Sequence, residues 1–325
     1  MAKVDLLSLQ KNVISRDLRG KYILLAGAPK IGKTEFCCEA EDALILATEI
    51  GTNAQTNACV QPIESWSDII NALRQLDNQM VKEKFKTVCI DTVGIMFDLA
   101  EQFVCVQNGV SKINDIPYGG GYTQRDKAFE NALRKITMMG YGLIMTCHLK
   151  EIYDEEGKLI SAKPDLNNRC LKIVNGLVDV ISVITQTWNE KGESERWVQT
   201  RSTPTIAAGS RYKYLAPRIP FGFKEFEAAL AKAIDMAEER GAVVVDKKPI
   251  FETQKLDYLS IMNECRKIWT EKVESAATEE EKANVVRAMS KKVEMIFGHP
   301  TKLSEVLEEQ VDLLNLVLQD LKEMN

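Results

Sequence analysis

Short apolar runs separated by amphipathic stretches set the pattern of the chain from residue 21 to about 219. Five runs, at 22–26, 43–48, 87–91, 142–147 and 178–185, are nearly continuous in apolar residues. Such runs predict strands covered by helices on both faces, and their alternation with amphipathic segments predicts a mainly parallel α/β sheet. Between the second and third runs, Ser65-Trp66-Ser67-Asp68 has the form of a helix-capping box, followed by Ile69, Ile70, Leu73 and Leu76. The pattern then shifts. Residues 196–201 and 212–218 predict antiparallel strands added at the sheet edge, and a helix is predicted over 223–240.

The stretch 241–249 predicts a linker, and beyond it the periodicity is helical throughout. Tyr258, Met262, Cys265 and Trp269 recur at helical spacing. Thr278 with Glu281 forms a second capping box ahead of Val286, Met289, Val293 and Ile296. Leu307, Val311, Leu314, Leu318 and Leu321 make the last stripe. Three helices that bundle together, or dock on the core, are expected. The domain plan is therefore a core over 1–240, a linker over 241–252 and a helical domain over 253–325.

Length and composition leave this picture unchanged: 325 residues, 45% apolar and 27% charged, suit a soluble globular chain. No apolar run reaches the length of a membrane span, so no membrane partner is expected. The N-terminus lacks a signal-peptide pattern, which points to the cytoplasm. The eight cysteines show no C-x-x-C pair and only two histidines occur, a poor inventory for a disulfide or zinc framework. The net charge of −5 is uneven, because residues 253–325 hold 14 acidic and 10 basic side chains and contribute −4 of it. A near-neutral core can still carry a local basic stripe.

The chemistry starts at Gly27-Ala28-Pro29-Lys30-Ile31-Gly32-Lys33-Thr34, which fits G-x-x-x-x-G-K-[ST], with Glu35 next in the emerging helix. An apolar strand leads in and a helical stretch leads out, as a phosphate-binding loop needs. Gly27 and Gly32 let the backbone curl round an anion while N–H groups at the helix start donate to a β-phosphate. Lys33 is expected to bridge the β- and γ-phosphates of ATP, projecting from the loop into solvent, and Thr34 to ligate Mg²⁺. The strand over 87–91 ends in Asp91, the carboxylate expected to hold the magnesium water shell.

The order of these features narrows the resemblance. The P-loop, Thr48-Glu49 after the next strand, Asp91, and Thr146-Cys147-His148 resemble the RecA-like ATPases. With Tyr118-Gly119-Gly120-Gly121-Tyr122 before a helix, the stretch 141–150, Arg201 and Ser210-Arg211, the chain looks more specifically like the phage AAA-domain ATPases of single-strand annealing recombination. The likeness covers roughly residues 20–230 and leaves the C-terminal helices outside. It implies that Glu49 polarises the attacking water and that His148, where related proteins often place Gln, senses the γ-phosphate. It also implies that Arg201, with Arg211 or Lys213 as second candidate, reaches across a subunit interface of a ring or filament. The plainer alternatives are a surface glutamate, a hydrogen-bonded strand-end histidine and an arginine in a surface ion pair.

The same resemblance places DNA-facing loops over 106–125 and 150–169. The first carries Lys112, Tyr118, Tyr122 and Arg125 among four glycines, which suits base stacking with phosphate contact. The second mixes Lys150, Lys158, Lys163 and Arg169 with Asp154, Glu155, Glu156 and Asp165, as a charged, solvated hairpin also would. The function implied is ATP hydrolysis with single-stranded DNA binding and annealing or strand pairing. The alternative is an ATP-switched interaction or loader module, its helical tail engaging a single-strand-binding or other recombination protein.

Overall fold

The computed structural model describes residues 13–17, 19–49, 51, 58–246 and 257–324. They fall into two compact units, one running up to 246 and the other from 257 onward. The first unit begins with β1 (Ile14–Ser15), β2 (Tyr22–Ala26), α1 (Lys33–Cys38), β3 (Ala43–Ala47), β4 (Cys59–Pro62), α2 (Trp66–Leu76) and α3 (Gln79–Lys84). It continues through β5 (Thr87–Asp91), α4 (Val93–Gln107), α5 (Gly120–Met138), β6 (Gly142–Cys147), β7 (Leu149–Tyr153), β8 (Leu159–Pro164) and α6 (Asn168–Leu177). It closes with β9 (Val180–Trp188), β10 (Ser194–Gln199), β11 (Gly209–Ser210), β12 (Arg218–Pro220), α7 (Phe223–Glu238) and β13 (Val244–Val245).

The central sheet runs β12-β10-β9-β2-β6-β5-β3-β4. From β9 to β4 every neighbouring pair is parallel, while β10, β11 and β12 add antiparallel pairings at one side. Apolar residues occupy both faces of β2: Leu24 and Ala26 pack under α2, α4, α5 and α6, and Ile23 and Leu25 pack with α1 and α7. That is why the strand reads as a continuous apolar run. On the second face the Phe36 ring meets Phe223 and Phe226 edge-on, with centroids 5.3 and 5.7 Å away. The Ser65 box caps α2 as expected, Ser65 Oγ accepting from Asp68 N and Asp68 Oδ2 accepting from Ser65 N at 2.9 Å.

Two expectations change, and one strand was not foreseen. Residues 212–217 form a turn, not a strand, and only Arg218–Pro220 pairs with β10. The Arg201 guanidinium gathers the carbonyls of Ser210, Tyr212 and Lys213, so this backbone folds inward instead of running beside a neighbour. The expected linker starts as ordered structure: Val244–Val245 pairs in parallel with Ile14–Ser15, while 247–252 lie outside the described residues. Strand β4, only four residues long and mostly exposed, escaped the hydrophobic pattern altogether.

The second unit contains α8 (Tyr258–Glu274), α9 (Glu279–Phe297) and α10 (Val311–Glu323). Cys265, Met289, Val293, Leu314, Val317 and Leu321 make its core, and Thr278 and Glu281 form their reciprocal cap. Leu307 falls outside that core at 61% exposure, because α10 begins only at Val311 and Val306 points inward in its place. Val286 is likewise exposed.

Candidate nucleotide site

Parallel register brings the strand ends into line. Ala26 lies opposite Cys147, and Ala47 opposite Asp91, so the residues that follow β2, β3, β5 and β6 converge at one edge of the sheet. Gly27 N donates to Cys147 O at 3.1 Å and Thr48 N to Asp91 O at 2.8 Å, fixing the P-loop and the Glu49 segment to their neighbours.

Pro29 and Lys30 are exposed on the loop, Ala28 and Ile31 are half-buried, and Gly27 is buried. Gly32 precedes α1 at φ 115°, a region that suits only glycine, and a Cβ there would lie 2.4 Å from an Arg196 guanidinium nitrogen. Lys33 is the first residue of α1 and is buried rather than projecting into solvent. Its Nζ donates to Gly27 O and Ala28 O, each at 3.0 Å. Burial pushes its ammonium below the ordinary lysine value, opposed by the Asp91 and Glu49 carboxylates.

Asp91 joins two hydroxyls. Thr34 Oγ1 donates to its Oδ2 at 2.6 Å, and Thr146 Oγ1 donates to its Oδ1. The first pairing puts a hydroxyl and a carboxylate side by side at the loop's exit, hard oxygen donors of the kind Mg²⁺ prefers. Beside them Glu49 Oε1 accepts from Thr92 Oγ1 at 3.1 Å and lies 3.2 Å from His148 Nε2. His148 Nδ1 is buried without a hydrogen-bond partner among the described residues. A proton on Nε2, donated to Glu49, therefore leaves Nδ1 as a bare acceptor and is the better tautomer.

Lys33, Thr34, Glu49, Asp91 and His148 thus share one edge, and Arg201 and Arg211 do not join them. Arg201 is spent on the three carbonyls of its own turn, while Arg211 reaches Asp179 Oδ1 at 3.2 Å and Gly176 O at 3.0 Å. Glu35 meets Arg196 Nη1 at 2.9 Å. Nothing in the sequence pattern singled out Arg196, which also donates to Ile31 O at 2.9 Å and stacks over Phe221 at 4.1 Å. Nor did it single out Thr92 or the hydroxyl of Thr146 as the groups that hold the two carboxylates.

Of the aromatic and basic residues expected to face DNA, Tyr118 is fully exposed and Tyr122 is 40% exposed. Arg125 is inside instead. Its guanidinium pairs with Glu101 at 2.6 Å and Asp126 at 2.8 Å and sits 4.2 Å from the Phe97 ring centroid. Residues 149–164 form the β7–β8 hairpin.

The family model described as "AAA domain" matches residues 19–212, which span the sheet edge just described. The chain belongs to the AAA domain family. Its fold is accordingly that of a RecA-like P-loop nucleoside triphosphatase, as the motif order implied. The AAA domain match stops before α7 and leaves out the helical unit. Over 99% of this chain and 98% of the other, the protein is 25% identical to an SPbeta prophage-derived uncharacterized protein, YorG, of Bacillus subtilis (strain 168). Among solved structures it is similar to flagellar accessory protein FlaH from Methanocaldococcus jannaschii, at 11% identity and a TM-score of 0.35, covering 63% of this chain and 85% of that one. No helix among the described residues of this AAA domain protein is long and apolar enough to cross a membrane.

Proposed function

We propose that this protein hydrolyses ATP with Mg²⁺, binds single-stranded DNA and uses the cycle to promote annealing or strand pairing in phage-type recombination. The observation that carries the hydrolytic half is the joint placement of Lys33, the Thr34–Asp91 pair and the Glu49–His148 pair at one sheet edge. Amides of the Gly27–Thr34 loop would receive the β-phosphate, and Lys33 would exchange its two carbonyls for phosphate oxygens. Thr34 and Asp91 would hold Mg²⁺, which neutralises phosphate charge when bound. Glu49 accepts a proton from, or orients, the attacking water, and His148 fixes which way that carboxylate points.

Assembly with further copies is part of the same reading. The turn over 201–213 offers cations for a neighbouring site: Arg201 braces it from within, and Arg211 stands at its surface with 58% side-chain exposure. A guanidinium delivered in trans would stabilise charge on the transferring phosphoryl oxygens. Turnover should then rise more than linearly with protein concentration. Mixing Glu49→Gln with Arg211→Ala chains should restore part of the activity each lacks alone. No rescue in mixtures shown to co-assemble would remove the trans role of Arg211.

Tyr118 supports the DNA half. A fully exposed aromatic held at φ 55° in the left-handed region is an uncommon arrangement for a tyrosine, and its ring is open to stacking. ATP turnover measured with and without single-stranded oligonucleotide tests the proposal directly. Stimulation is expected. Unchanged turnover together with no oligonucleotide binding would leave an ATP-switched interaction module as the better reading, with the acidic helical unit as its protein contact.

A further inference from the structure

Helices α5 and α6 enclose a surface groove that takes in Tyr122, Arg125 and Arg169 of the expected DNA-facing loops and continues beyond them. Two adjoining hollows, of about 590 and 380 Å³, share Asp126, Glu130 and Arg169 in their walls and so form one channel. Along α5 its lining runs from Gly119 to Arg134, about 22 Å at the helical rise of 1.5 Å per residue. Leu133, Ile173 and Leu177 give it an apolar floor at the far end, and Tyr122 lines the near end. Tyr118 stands one residue before the first lining position.

The charge in this groove is less mixed than its composition suggests. Both carboxylates are already committed: Asp126 holds Arg125 at 2.8 Å, and Glu130 holds Arg134 at 2.7 Å. Lys127, Arg169 and Lys172 are exposed and form no ion pair among the described residues. Three cations without counterions among the described residues therefore line a channel that starts beside an open aromatic ring. Cations spaced along a track suit a phosphate backbone, and exposed π-faces at its mouth suit unstacked bases. A duplex would keep its bases from those rings, and an acidic peptide would leave the rings without a partner.

We propose that the α5–α6 groove is a track for single-stranded nucleic acid, with Lys127, Arg169 and Lys172 on the phosphates and Tyr118 stacking a base at its entrance. The inference rests on the reading that this protein binds single strands, and it adds a route along α6 and the far end of α5.

The test uses the full chain and a fluorescent oligothymidine, titrated at several salt concentrations. Arg169→Ala with Lys172→Ala should lower affinity on the order of tenfold at 0.15 M salt and flatten the log–log salt slope by about 1.4, or 0.7 per lost phosphate contact. Tyr118→Ala should weaken binding by a similar order without changing the slope. The swap Arg169→Lys with Lys172→Arg keeps both charges and should retain the wild-type slope, which separates charge from fold. Wild-type affinity and slope in the double alanine variant, while the wild type binds, would overturn the groove and leave single-strand binding standing. No oligothymidine binding by the wild type at micromolar concentration would overturn that underlying reading as well. Displacement of the oligonucleotide by polyglutamate at equal charge concentration would make the groove an acidic-peptide surface and overturn the assignment.

Discussion

The two units of this chain bury different things. Among the described residues, every buried polar or charged side chain lies in the sheet unit, including Lys21, Lys33, Asp91, Arg125, Thr146 and Thr200. The helical unit buries apolar side chains and cysteine only. Burying a polar group costs free energy unless a partner satisfies it. The sheet unit meets that cost with pairs such as Thr34–Asp91 and Lys33 to two loop carbonyls, and these two stand together at the edge that carries the Gly27–Thr34 loop. The helical unit spends nothing on polar burial. One region is thus built to hold charged groups in fixed positions, and the other is built for packing.

The sharpest way to break this contrast is Lys33→Ala. Removing the cation aimed at the phosphates should reduce hydrolysis by more than about 100-fold and severely weaken triphosphate binding. Phosphate release and nucleotide titration report both effects, and undiminished turnover would refute the site. Because Lys33 is buried, a modest fall in melting temperature should accompany the change, as two loop carbonyls lose their donor.

Glu49→Gln should cost about 10²- to 10⁴-fold in turnover while nucleotide affinity is kept, since shape survives and the proton acceptor does not. His148→Ala should cost less, roughly tenfold, because it removes only one of the two groups that orient Glu49. Equal losses in the two variants would show that His148 acts on the reaction itself.

Leu314→Ala probes the other region. Its side chain is fully buried among α8, α9 and α10, so the helical unit should lose about 2–5 kcal/mol while ATP binding by the sheet unit stays intact. A chain ending at Asp246, which keeps β13 paired to β1, should also bind ATP. Nucleotide-free, insoluble truncations would show that the two regions are one cooperative structure. The smallest effect belongs to Thr278→Ala, which removes one half of a capping box and should cost about 1 kcal/mol, read by chemical denaturation of the helical transition.

Local rules made much of this molecule legible. Continuous apolar runs located β2, β3, β5, β6 and most of β9, and S-x-x-D and T-x-x-E marked the starts of α2 and α9. The P-loop motif was legible on its own, because its glycines, helix start and lysine all sit within eight consecutive residues. Those features depend on backbone geometry and on neighbours along the chain, which a sequence displays directly.

The partners of individual side chains were decided elsewhere. Arg125 looked like a phosphate contact, yet Glu101 and Phe97 from the facing helix draw it inside. Residues 212–217 looked like a strand, yet Arg201 pulls that backbone into a turn. Arg196 braces the P-loop from 165 residues away, and His148 meets Glu49 across a separation of 99. Apolar burial tolerates any well-packed neighbour, so periodicity alone can state it. A charged or hydrogen-bonding group must find one particular partner at about 3 Å, and only the folded chain determines which residue stands there.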